Sequence, residues 1–159
     1  ASLPAISNLR ALGREGYQVI LANALERAEQ LKAGLDGREG IRVLNNGFSG
    51  PIVNFRFYER DEQMEQELNG ELSSEEIEAR NGYMDEAMKH FGENRHRVFL
   101  GDTKRCRSVD NANQTQSPIS ALKAFMISPF TDPSTIMFVA DYILSYKREI
   151  DCQIKAGVI

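Results

Sequence analysis

A chain of 159 residues, 42% apolar and 26% charged, fits one globular domain with a single core, and its composition matches neither a disordered chain, collagen nor a coiled coil. The formal charge of −4 is unevenly spread: residues 59–80 hold nine acidic and two basic side chains, a local −7 that leaves +3 for the remainder. A general nucleic-acid binder places a basic excess on one face, and the runs Arg95-His96-Arg97 and Lys104-Arg105-Cys106-Arg107 are short and lack interleaved aromatics, so they read as solvated surface.

In chain order, residues 2–12 form a short helix, and Gly13 and Gly16 mark a kink or junction before a longer one. From Tyr17 onward Ile20, Leu21, Ala24, Leu25, Ala28, Leu31 and Leu35 recur at three- and four-residue steps, the stripe of a helix packed on one side. Gly34, Gly37 and Gly40 then release the chain into a turn. Residues 41–45 and 52–57 read as two strands around the turn-forming Asn46-Gly-Phe-Ser-Gly-Pro51, a hairpin. On the second strand Val53, Phe55 and Phe57 share one face, and Ile52, Asn54 and Arg56 the other. Arg56 is expected on the wet side of an antiparallel sheet.

Residues 59–70 have no apolar period beyond Met64 and Leu68 and read as a disordered or variable connection without chemistry. Ser73-Ser-Glu-Glu76 is a capping box opening a helix to about His90, with Ile77, Met84, Met88 and Phe91 as its apolar stripe and Gly92 placed to end it. A third strand is expected over residues 97–103 and a mobile polar loop over 104–117. The fourth strand spans residues 119–127. Its alternation puts Ile119, Ala121, Lys123, Phe125 and Ile127 on one face, making Lys123 a charge on a mostly apolar side. Such a lysine either snorkels to water at a sheet edge or meets an anion that belongs there. Asp132-Pro133 is an N-cap followed by proline at the first helical position, and the closing helix runs to about Ile150 with Ile136, Val139, Ala140, Ile143 and Tyr146 or Lys147 inward. The tail, 151–159, is too short to do more than dangle.

The order α-β-β-α-β-β-α predicts an α+β domain: an antiparallel sheet of about four strands with helices on one face. The other face is then either wet or an interface, and Asn54, Arg56 and Lys123 lie on it. Cys106 and Cys152 are far apart and make no metal-type pair with His90 or His96, which predicts no metal site and a reducing, cytoplasmic setting. No run approaches the roughly 18 apolar residues of a membrane span, and no basic-then-apolar leader is present. The chain begins Ala1-Ser-Leu-Pro without an initiator methionine, as a processed protein or a fragment would. Nor is there a phosphate loop, G-x-S-x-G, H-E-x-x-H or convincing Cys/His pair, so these residues contain no autonomous catalytic constellation.

The run Leu122-Lys-Ala-Phe-Met-Ile-Ser-Pro-Phe-Thr-Asp132 resembles the C-terminal strand and proline turn of the group II pyridoxal-phosphate-dependent amino-acid decarboxylases. Leu12-Gly-Arg-Glu-Gly-Tyr17, Val53-Asn-Phe-Arg-Phe57 and Val98-Phe-Leu-Gly-Asp-Thr103 are similar to other stretches of that family in the same order, closest to bacterial members acting on aspartate or glutamate. The resemblance implies the small domain of a fold-type I enzyme: residues 1–16 lead in from a large domain, 17–150 form the small domain and 151–159 a tail. It implies a homodimeric parent whose pyridoxal phosphate serves as electron sink while the substrate's α-carboxylate leaves as carbon dioxide, that bond held perpendicular to the ring. The Schiff-base lysine, the stacking histidine and the aspartate on the pyridine nitrogen belong to the large domain. No residue of this chain matches them, so it carries no catalytic or cofactor-binding residue and is expected to be inactive alone. Lys123 falls where the family's small-domain arginine binds the α-carboxylate, and it departs from the pattern by offering a point charge instead of a two-donor fork. The competing readings are a free-standing α+β ligand-binding or regulatory module and, third, an RNA binder using residues 95–107.

Overall fold

The computed structural model describes residues 3–47, 50–93, 98–106, 117–128 and 130–157. Its first helix, α1 (Leu3–Leu35), is broken where the glycines indicate: Gly13 has φ 62° and ψ −175°, a conformation that spares glycine the steric cost a β-carbon would incur. The expected apolar stripe is buried only in the second half. Ala24, Ala28, Leu31 and Leu35 enter the core, while Leu12, Val19 and Leu21 stand 43%, 69% and 56% exposed.

The strands are β1 (Ile41–Val43), β2 (Ile52–Phe57), β3 (Gly101–Cys106) and β4 (Ile119–Phe125), all paired antiparallel in the order β1-β2-β4-β3. The fold is thus α+β in the predicted element order, with one helix added. That helix, α2 (Asp61–Leu68), lies where a disordered connection was expected. The reason is a tertiary contact: Glu67 is buried at 1% exposure, so the acidic run is ordered by what one of its carboxylates meets. The third strand is also displaced. Residues 104–106, expected in a loop, belong to β3, Val98 to Leu100 precede it without regular structure, and Arg95 to Arg97 and the rest of the expected loop, 107–116, lie outside the described residues.

Helix α3 (Ser74–Glu93) begins with the predicted capping box: the Ser73 amide donates to Glu76 Oε2 at 2.8 Å and the Glu76 amide to Ser73 Oγ at 3.3 Å. Helix α4 (Pro133–Lys155) is capped by Asp132, whose Oδ1 accepts from the Thr135 amide at 2.7 Å. It runs past the expected end because Asp151 is anchored, accepting from Tyr83 Oη at 2.8 Å and from the buried Lys147 Nζ at 2.6 Å.

Val53, Phe55, Phe57, Leu122 and Ala124 meet α1, α3 and α4 on one sheet face. A smaller cluster of Leu44, Ile77, Ile119 and Ala121, backed by Leu72 and Cys106, covers one end of the opposite face. The α2–α3 corner therefore wraps the sheet and leaves the other end of that face open. No helix is long and apolar enough to cross a membrane among the described residues.

Candidate functional site: a half-open sheet face

Arg56, expected at a wet surface, is fully buried at the covered end of this face. Its Nη1 donates to Asn81 Oδ1 and to the Ser120 carbonyl, both at 2.8 Å, and its Nη2 lies 3.3 Å from Glu67 Oε2. Arg42, its partner across β1 and β2, has Nη1 3.8 Å from Glu67 Oε1 and donates to Tyr58 Oη at 3.3 Å. Tyr58 in turn donates to Glu67 Oε1 at 2.8 Å. Two guanidinium groups thus share one carboxylate inside the protein, where the desolvation cost of each ion requires the others. No sequence signal singles out Glu67, one carboxylate among nine between residues 59 and 80.

This network sets part of the pH response. Burial first, then the Glu67 carboxylate, pushes the Tyr58 phenol well above its ordinary value of 10, and burial with the hydrogen bond to Asp151 does the same for Tyr83. A raised folded value contributes stability that is complete below pH 10 and is lost above it, because the unfolded chain releases a proton the folded chain retains. Unfolding free energy should therefore drop by about 1.4 kcal/mol per pH unit above pH 10 for each tyrosine that stays protonated. At the acid end the signs reverse. Hydrogen bonds from the Thr135 and Ser73 amides hold Asp132 and Glu76 below their ordinary 3.8 and 4.5, so both caps stabilise the fold above those values and weaken as pH falls through the lowered ones. Urea midpoints against pH, with phenolate absorbance as the probe of tyrosine ionisation, check both limbs.

The open end carries the one sequence-identified site residue. Lys123 is on β4, an interior strand, so its route to water runs over the open face and not round a sheet edge. Asn54 of β2 is its partner on one side and Gly101 of β3 on the other, forming a single row across three strands. Lys123 is half-buried and makes no hydrogen bond or ion pair among the described residues. Asn54 Oδ1 is sealed from solvent without a hydrogen-bond partner. The Phe125 ring lies across Gly101, where a β-carbon would meet its Cε2 at 2.8 Å. Phe125 and its cross-strand partner Ile52 are both partly exposed, making the end of the face apolar. Beside Phe125 a hollow of about 460 Å³ is lined by Val98, Leu100, Ile127 and Val139.

Within the second basic run, Arg105 is not a free cation. Arg105 is paired with Glu78 and Asp85 on α3, which hold its guanidinium charged and raise its affinity for the proton. The expected polar face of Asn54, Arg56 and Lys123 therefore divides: the arginine belongs to the core network, and the lysine and asparagine to the open row. The chain matches no protein-family model and no curated protein sequence.

Proposed function

We propose that this chain is the C-terminal small domain of a pyridoxal-phosphate-dependent amino-acid decarboxylase, and that its open sheet face borders the parent's substrate pocket. The observation that supports it most is the unpartnered Lys123 in the middle of a sheet half that nothing in the described residues covers. The projecting first half of α1, with Leu12, Val19 and Leu21 exposed, agrees with a domain packed on a larger one of the same polypeptide. The parent is read as a cytoplasmic homodimer acting on aspartate or glutamate, without nucleic acid or membrane among its partners. Both described cysteines are free, in keeping with a reducing compartment.

The residues of the open face do not fit a cofactor site. Lys123 has an amide on one side and an aromatic ring over a glycine on the other, with neither an acid for a pyridine nitrogen nor a cradle of amides for a phosphate among the described residues of that row. The cofactor's chemistry is accordingly assigned to the large domain. What this chain contributes is the position of the substrate. Lys123 pairs with the α-carboxylate and fixes its direction. Because the ion pair is complete in the ground state and is lost as the carboxylate becomes neutral carbon dioxide, it favours binding over the chemical step.

Lys123→Met in the full-length parent should therefore lower kcat/KM by about 10- to 150-fold, mostly through KM, while leaving folding intact. Lys123→Arg should retain activity. The isolated chain should release no carbon dioxide from any amino acid. Unaltered kinetics in the Met variant would end the carboxylate role, and turnover by the isolated chain would end the small-domain reading. The alternative of a free-standing ligand-binding or regulatory module draws on the domain's self-contained core. The coding sequence upstream of Ala1 separates the two.

A further inference from the structure

We infer that Asn54 is the second half of a carboxylate clamp with Lys123, the two side chains dividing between them the pair of donors that a single guanidinium would present. The inference rests on the reading of Lys123 as a carboxylate contact, and it assigns a role to a residue that this reading leaves out.

Three observations carry it. First, Asn54 and Lys123 are direct cross-strand partners with side chains on the same face, a separation at which side chains routinely touch. Second, each lacks what the other offers. Asn54 Oδ1 is a buried acceptor with no donor, and Lys123 is an ammonium with three donors and no acceptor among the described residues. The two are not bonded to each other in the structure; a change of side-chain torsion that turns one N–H of Lys123 to Oδ1 would satisfy the amide and immobilise the ammonium, leaving two of its donors. The Asn54 amide nitrogen, which no described residue engages, adds a directional donor beside them.

Third, the surroundings favour an anion. The Phe125 ring over Gly101 walls the row on one side, and the partly exposed Ile52 and Phe125 flank it with apolar surface, which lowers the local dielectric beside the ammonium and strengthens its pull on an anion. A carboxylate with its two oxygens on the Lys123 ammonium and the Asn54 amide satisfies all of these groups together.

The test uses this chain alone, titrated with sodium propionate at constant ionic strength and followed through the side-chain amide resonances of Asn54 and the backbone amide of Lys123. Saturable shifts are expected, abolished in Lys123→Met and weakened about 10-fold in Asn54→Leu. Lys123→Arg in the Asn54→Leu background should restore binding, because the guanidinium brings both donors itself. A residue that merely supports the sheet would not be rescued this way. Asn54→Asp, which keeps the shape, should lose propionate through like-charge repulsion and guards against a leucine variant that fails to fold. Shifts that grow linearly with propionate, or an affinity unchanged in both Asn54 variants, overturn the clamp. If propionate saturates the site but the parent decarboxylates no amino acid, the clamp stands and the enzyme reading falls.

Discussion

Glu67→Ala should destabilise this domain by about 3–5 kcal/mol, because it leaves Arg42 and Arg56 buried without their shared carboxylate. Tyr58 also loses the acceptor of its hydroxyl. The effect does not mean the network is worth that much relative to an apolar core. Replacing all of the charges with well-packed hydrophobic residues is often neutral, whereas removing one partner strands the rest. Glu67→Gln, which keeps an acceptor for Tyr58 but not the charge, should fall between the wild type and Ala. Urea unfolding checks the series. A loss under about 1 kcal/mol for Glu67→Ala would mean the arginines reach water by a path the fold does not display.

Gly40→Ala is expected to be comparably damaging, for a backbone reason. Gly40 has φ +69°, and a β-carbon there would lie 2.4 Å from the Tyr58 carbonyl oxygen and 3.2 Å from Lys147 Cε. The close approach is held from both sides: the Tyr58 amide donates to the Gly40 carbonyl at 2.7 Å, and the Gly40 amide to Asp61 Oδ1 at 2.9 Å. Left-handed strain of about 1–3 kcal/mol then adds to an overpacking term of about 1–3 kcal/mol. Gly37 is the internal control. It shares φ +69°, but a β-carbon there would meet nothing within 4 Å, so Gly37→Ala should show the conformational cost alone. Equal thermal unfolding of the two variants would refute the steric part.

Both variants probe the corner where α1, β1 and α2 meet, and that corner positions the candidate site. Glu67 and Asp61 tie α2 to the ends of β1 and β2. The resulting cover stops beyond Arg56, and the next row, Asn54 and Lys123, is the first left accessible. Which polar residue on this face is structural and which is available to a ligand is decided by the reach of one short helix.

Local patterning determined much of this protein. Alternation in β2 and β4 placed Val53, Phe55 and Phe57 opposite Asn54 and Arg56, and Lys123 opposite Leu122, because strand side chains alternate with a period of two wherever the strand is located. The capping box at Ser73, the Asp132-Pro133 start of α4 and the break at Gly13 are equally local: each depends on groups within a few residues, whose geometry the backbone itself sets. The strand order and the wrapping of α2 are not local. That β4 is interior, so that Lys123 has neighbours on both sides, follows from β3 pairing outside it, and that Arg56 is buried follows from Glu67 packing from 11 positions along the chain. An acidic run has no period to announce which of its carboxylates will be paired inside. Charge burial is settled by three-dimensional complementarity, where the cost of desolvating an ion is offset only by partners that tertiary structure brings within reach.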